Sequence, residues 1–315
     1  RKLGKLECTQ PAELVIPLCE AAWVMRKQAD LSVWLNKDTG LLKEFTHSHA
    51  YGSTSEPAWQ IGYNLALQAR NLLDCSDSDP ISSLTKLVEQ KLGIAVIQLT
   101  LPTRIAGATI DTGRKRGIVL NAIGENTNVW VRRMTLAHEL GHVLWDPKKE
   151  LKSLTVDGYA EIASDPSKQT TTYYVEQRAN AFAVAFLAPP SVVITLDEQG
   201  MKPSEILSHL MEVFGLSFTA ARLHIRNIIS ADIPTESPQK NVNLPGSEWL
   251  KQESLTRCDF LGDTVPLSRR GNFAILVEEA ERRGLISDDT AASHLGCSLD
   301  KYIDTAREPI RNLGR

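Results

Sequence analysis

Apolar positions recur at helical spacing along most of the chain and at strand spacing in one short stretch. Leu14, Leu18, Ala22 and Met25 share a helical face, with Leu31, Trp34 and Leu35 further on, so residues 1–45 are expected to be helical. Residues 46–57 are rich in Ser, Gly and His and read as a loop. Helical spacing returns over 59–73 and, after the linker 75–80, over 81–92, where Gly93 ends it. The period then changes. Residues 94–99, 105–110 and 117–121 are short β-branched runs separated by turn residues, which predicts a small three-stranded sheet. After Gly124 the helical period resumes and runs to Trp145, where Asp146-Pro147 stops it. Residues 147–172 are polar and irregular, and long for a loop inside a compact domain. Further helices are predicted at 173–187, 203–214 and 217–229.

Residues 230–246 contain three prolines and almost no large apolar residue, the composition of a linker. The expected division is therefore an N-terminal helical segment (1–56), a central domain (57–229), the linker and a C-terminal helical domain (247–315). Within the last, a short helix at 288–295, a turn at Gly296 and a second helix at 299–311 give the outline of a helix-turn-helix.

Composition narrows the function classes. The chain has 315 residues, which suits two domains at roughly 150 residues each. It is 42% hydrophobic and 23% charged, ordinary for a globular protein, and disorder throughout is excluded. A formal net charge of −3 argues against wrapping nucleic acid or lying on an anionic membrane. The richest apolar run, 179–196, is interrupted by Asn180 and by Pro189-Pro190, and no stretch reaches the roughly 18 apolar residues of a membrane helix. Five scattered cysteines fit reduced thiols, and no charged-then-apolar leader is legible, so a cytoplasmic location is expected.

Seven histidines are few, and two of them fall in the run His138-Glu139-Leu140-Gly141-His142. Residues four apart lie on one face of a helix, so both imidazoles can reach one Zn²⁺. Glu139 points about 100° around the helix. It is poorly placed as a third ligand but well placed as a general base toward a metal-activated water.

A catalytic zinc takes three protein ligands. Glu176 is the leading candidate for the third, on a helix whose other face (Ala179, Phe182, Ala183, Phe186) is apolar. Asn180 shares the face of Glu176 and can hydrogen-bond the outer nitrogen of a ligating His. Asp146, Asp157, Glu161 and Asp165 remain competitors. Asp146, one further turn along the first helix, is better suited to supporting a ligand or capping the helix.

The block Arg133–His142 resembles the active-site helix of the ImmA/IrrE family of metallo-endopeptidases. The block from Glu176 to Pro189 resembles that family's E-x-x-A-N-x-F-A-x-x-L-L-x-P signature. Ile118-Val119-Leu120-Asn121, Phe214-Gly215-Leu216-Ser217 and Ala221-Arg222-Leu223 match as flanking features, and the resemblance spans about 57–229. It implies an α+β, zincin-like (minimal gluzincin) core with a small mixed or antiparallel sheet. It further implies zinc on His138, His142 and Glu176, with Glu139 as base. Members commonly act in regulation, some by cutting repressors of the helix-turn-helix type in stress response, mobile-element control or phage defence. The long segment between His142 and Glu176 departs from the pattern, and residues 1–55 do not read as the repressor-like DNA-binding domain many relatives carry.

The resulting expectation is a zinc endopeptidase of narrow specificity acting on another protein, such as a repressor or operon neighbour. The alternative is a zinc-binding regulator that works by binding a partner or DNA without proteolysis. Tyr173, Tyr174 and His209 are candidate donors to an oxyanion, and substrate is expected to lie extended along the sheet edge. His47 and His49 read as solvated loop residues, and His224 as structural. Arg132-Arg133 reads as a solvated helix face or a substrate-steering pair, and Arg114-Lys115-Arg116 as exposed hairpin charge. The tail from Gly246 carries ten Lys or Arg against twelve Asp or Glu, which favours docking to a partner over binding DNA.

Overall fold

A computed structural model describes residues 12–37, 45, 56–111, 115–146, 154–158, 171–236 and 248–314. The fold is α+β. Its four-stranded sheet is formed by β1 (Ala95–Leu99), β2 (Ile105–Asp111), β3 (Arg116–Asn121) and β4 (Leu154–Gly158), in the order β1-β3-β2-β4. β1 runs parallel to β3, while β2 is antiparallel to both β3 and β4.

Side chains alternate along β1, β2 and β3, yet both faces are buried. Val96, Ile118 and Leu120 enter one apolar core; Ala95, Ile97, Leu99, Ala108 and Val119 enter a second on the opposite face. This is why the strands read as continuous apolar runs. The first core is closed by α2 (Ala58–Leu72), α4 (Val129–Trp145) and α5 (Thr171–Leu187), with α6 (Pro190–Glu198), α7 (Pro203–Glu212) and α8 (Phe218–Ile229) beyond them. Two close approaches set this layer. A Cβ at Gly62 would lie 2.4 Å from the Arg178 carbonyl oxygen, and one at Gly141 would lie 2.9 Å from the Phe182 ring, so α5 is drawn tightly between α2 and α4.

The second core joins the two ends of the chain. α1 (Ala12–Trp34) contributes Leu14, Leu18, Ala21, Val24 and Met25 and packs on β1 and on α10 (Asn272–Arg282). α9 (Glu248–Thr256), α11 (Asp288–Leu295) and α12 (Leu299–Lys301) belong to the same C-terminal segment. α12 continues through a π turn at Tyr302–Ala306 into α13 (Arg307–Leu313). Gly296, in the left-handed region at φ 68°, separates α11 from α12.

Two elements escaped the sequence reading. β4 lies inside the stretch read as an irregular loop; Leu-Thr-Val-Asp-Gly carries little strand signal, and the segment is a strand through its long-range pairing with β2. α6 begins at a proline read as an interruption, although a proline in the first helical turn starts a helix rather than ending one. The helix expected at 81–92 is shorter: Ser83 caps α3 (Leu84–Lys86), and a π turn at Leu87–Lys91 follows. His47, His49, Glu161, Asp165, Arg114 and most of the linker lie outside the described residues. Cys19, Cys75, Cys258 and Cys297 are free thiols. Among the described residues no single helix is long and apolar enough to cross a membrane.

The C-terminal segment is pinned to the sheet layer by buried carboxylates. Glu89 accepts from the backbone N–H of Asn272 (3.1 Å), the first residue of α10, and from that of Val96 (3.4 Å). Burial pushes its carboxyl up to about 8, against an opposing effect of those two hydrogen bonds. The folded-state value exceeds the unfolded one, so the native state holds the extra proton between them. Stability is therefore expected to fall as pH rises from about 4.5 to about 8. Glu89→Gln should remove up to about 4 kcal/mol of that pH dependence, as read from urea unfolding at pH 5 and pH 8. Parallel profiles for the two proteins would refute it.

Candidate metal centre

Helix α4 begins where Asn128 caps it, its side chain accepting from the Trp130 N–H at 2.9 Å. It ends at Asp146, whose extended backbone leads out of the last turn. Between these ends the helix buries every residue from Thr135 to Trp145. Its C-terminal carbonyls are held by Arg116, whose guanidinium donates to the oxygens of Val143 and Asp146. Arg116 is thus buried, not exposed hairpin charge as the sequence suggested, because the helix end closes over it.

His138 and His142 stand one turn apart with their Nε2 atoms 3.0 Å from each other. Glu176 comes in from α5: its Oε2 is 3.1 Å from His138 Nε2 and 3.7 Å from His142 Nε2. Among the described residues these three form the one group of His, Cys, Asp or Glu side chains able to hold a metal ion together. The outer nitrogens are both engaged. His138 Nδ1 lies 3.0 Å from Asn180 Oδ1, and His142 Nδ1 lies 2.9 Å from Asp146 Oδ2. The Asn180 contact is the one anticipated from its spacing to Glu176. Asp146 supports a histidine and does not join the three, as its distance along the helix implied.

This donor set fits a cation. With both Nδ1 atoms donating to oxygen, each neutral imidazole presents a lone pair at Nε2. Two such lone pairs and a carboxylate oxygen then converge on one point. Glu176 Oε2 is buried there without a well-formed hydrogen bond. A tetrahedral ion with bonds near 2.0–2.1 Å spaces its ligand atoms roughly 3.3 Å apart, close to the separations seen. Burial raises the Glu176 carboxyl, but the two imidazoles overcome this and hold it well below the usual carboxylate range. Burial depresses His142, but Asp146 and Glu176 outweigh it and leave the imidazole well above its ordinary value.

Glu139 follows His138 on α4. It is fully buried (0% exposed), and its Oε2 accepts from Thr109 Oγ1 on β2 at 2.8 Å. Gly107 on the same strand makes room for it: a Cβ there would lie 2.7 Å from Glu139 Oε1. The sheet therefore positions the carboxylate that the helix alone leaves pointing sideways. Thr109 and Gly107 were not legible as site residues, since both depend on strand register against α4.

The other candidates lie on α5, α7 and α8 and at the N-terminal end of α4. Tyr174 is exposed, on α5 just before Glu176. Tyr173 is in the same helix, and its side chain is outside the described residues. His209 lies on α7, its ring 5.8 Å from that of Phe214, and α7 packs mainly on α6 and α8. His224 is structural as expected, bonded to the Tyr63 hydroxyl (2.6 Å) and the Ala188 carbonyl (3.0 Å), and burial drives it down to about 3. Arg133 is not solvated. It is buried against Glu253 of α9 and the Ile81 carbonyl, because the C-terminal segment covers that face of α4.

An α+β domain with two histidines one turn apart, a carboxylate from a second helix and a buried glutamate beside them has the donor set of a metal-dependent hydrolase. Residues 89–226 match the family model Peptidase_M78, the IrrE N-terminal-like domain. That match, over residues 89–226, bears out the ImmA/IrrE resemblance. The match includes both motif blocks but not residues 57–88. No curated protein matches the chain.

Proposed function

We propose that this protein is a zinc-dependent endopeptidase with a zincin-like (minimal gluzincin) core. The observation that carries the reading is the convergence of His138, His142 and Glu176 on one point, with Glu139 held beside it by β2. His138 Nε2, His142 Nε2 and Glu176 Oε2 would hold the ion, with Asn180 and Asp146 fixing the rings. Zinc, when bound, supplies Lewis acidity that polarises the scissile carbonyl and lowers the pKa of water. Glu139 takes a proton from the water that adds to the carbonyl carbon. As the C–N bond breaks, it delivers that proton to the leaving amine.

The nature of the substrate rests on the family resemblance and on the sheet. An extended segment of a regulatory protein, such as a helix-turn-helix repressor, would add to the β4 edge, next to the strand that holds Glu139. In this reading residues 57–229 are the peptidase unit. The helix-turn-helix-like tail, with α1, serves docking or sensing in the cytoplasm, and its charge speaks against DNA as a direct ligand.

One observation favours a second reading. His138, Glu139, His142 and Glu176 are at most 8% exposed, which suits a metal-binding regulator that works through a partner without proteolysis. Replacing Glu176 by Ala tests the shared element of both readings. Zinc affinity is expected to drop at least about 10²-fold with loss of one of three ligands, measured by chelator competition. Unchanged affinity would remove Glu176 from the metal site.

A further inference from the structure

Arg178 is a buried cation that the motif logic leaves without a role. On a helical wheel it lies about 200° from Glu176, so spacing does not group it with the site. Its side chain nevertheless reaches Asp146: Nη2 pairs with Asp146 Oδ1, both side chains being less than a tenth exposed. The other oxygen of that carboxylate, Oδ2, is the one facing His142 Nδ1 at 2.9 Å. One carboxylate thus bridges Arg178 on α5 and His142 on α4.

We propose that Arg178 is a positioning residue of the metal centre, which acts through Asp146 to fix the orientation and tautomer of His142. The inference rests on the metal-site reading above and extends it to a residue outside the ligand set. Asp146 sits just past the last turn of α4, where its backbone is extended and the helix itself does not aim its carboxylate. Arg116 anchors only the main-chain oxygen of Asp146, at 3.2 Å. Arg178 holds the carboxylate itself. With Oδ1 held, Oδ2 accepts the His142 Nδ1 proton, and the Nε2 lone pair is turned toward His138 and Glu176. The same pairing supplies the counter-charge that a buried carboxylate requires. Helix α5 then serves both rings: Asn180 holds His138 directly, and Arg178 holds His142 through Asp146.

The test compares Arg178→Met, Arg178→Lys and Arg70→Met in the full chain. Arg70 is a buried arginine of α2 bonded to the carbonyls of Phe186, Ser76 and Asp79, and it controls for loss of a buried cation elsewhere. Three quantities are read: zinc affinity by chelator competition, thermal midpoint without metal, and the ¹⁵N imidazole spectrum of the metal-free protein at a pH high enough for both rings to be neutral. Arg178→Met is expected to weaken zinc binding about 10- to 100-fold and to abolish the fixed Nδ1–H tautomer of His142. Arg178→Lys should recover part of both, and it carries the test where the Met variant does not fold. Arg70→Met should lower the midpoint with zinc affinity retained. Wild-type affinity and tautomer in the Arg178 variants would overturn the proposal, as would an equal loss of affinity in Arg70→Met. Failure of the wild-type chain to bind zinc overturns the metal reading instead. The tautomer spectra then still decide whether Arg178 orients His142.

Discussion

Replacing Glu139 by Gln is expected to leave zinc in place and to lower proteolysis by about 10²–10⁴-fold, the contribution of a positioned general base. Gln nearly matches Glu in size and still accepts from Thr109 Oγ1, so the packing against β2 around Gly107 is retained. What it loses is the carboxylate's capacity to take a proton. None of the three converging ligand atoms belongs to residue 139, and metal affinity should therefore stay within about twofold, far from the loss expected when a ligand or its support is removed. The measurement pairs zinc content with the appearance of one discrete cut in a co-expressed neighbouring protein, followed by mass spectrometry. Biological activity that survives Glu139→Gln at wild-type level would sink the peptidase reading and leave the non-proteolytic regulator. A gel-shift assay on the same preparation separates DNA binding from both.

Replacing Glu253 by Ala is expected to cost about 3–5 kcal/mol of stability, the range for breaking one side of a buried ion pair. Glu253 Oε1 accepts from Arg133 Nη1 at 2.8 Å and from the Leu84 N–H at 2.6 Å. The two side chains of the pair are 3% and 5% exposed. Removing the carboxylate takes the counter-charge from the buried Arg133 guanidinium and the acceptor from the Leu84 N–H in the same step. Arg133 lies five residues before His138 on α4, so this pair ties the C-terminal segment to the helix that carries both histidines. Glu253→Gln, which still accepts from Leu84, should cost less. A double replacement of Arg133 and Glu253 by Met should regain much of the loss, because two apolar side chains leave no buried charge behind. Urea unfolding reads all three, and a single-variant loss under about 1 kcal/mol would show the pair to be incidental.

The candidate ligands were legible because their chemistry is written in short-range spacing. His138 and His142 are one helical turn apart, and the same rule links Glu176 to Asn180, whose contact with His138 follows from it. Strands β1 to β3 and helix α4 were legible for the same reason: period and punctuation are local properties. Residues whose role depends on a distant partner were misread or missed. Arg133 and Arg116 carry charge in polar surroundings along the sequence, and only the elements folded over them make them buried. Thr109 and Gly107 look like ordinary strand residues until register places them against Glu139.

Sequence alone therefore determined the α+β class, the candidate metal ligands with a candidate base, and the family resemblance, since each resides in a contiguous block of residues. Only the tertiary structure decided that the first helix and the C-terminal segment meet on the far face of the sheet in one core. That face is apolar in the strands, but nothing in a strand's own residues specifies which distant helices will cover it. Tertiary contact likewise decided that Arg178 reaches His142 through Asp146. The shared helical face of Glu176 and Asn180 could be counted along the chain, whereas the approach of α5 to the end of α4 is a property of packing alone.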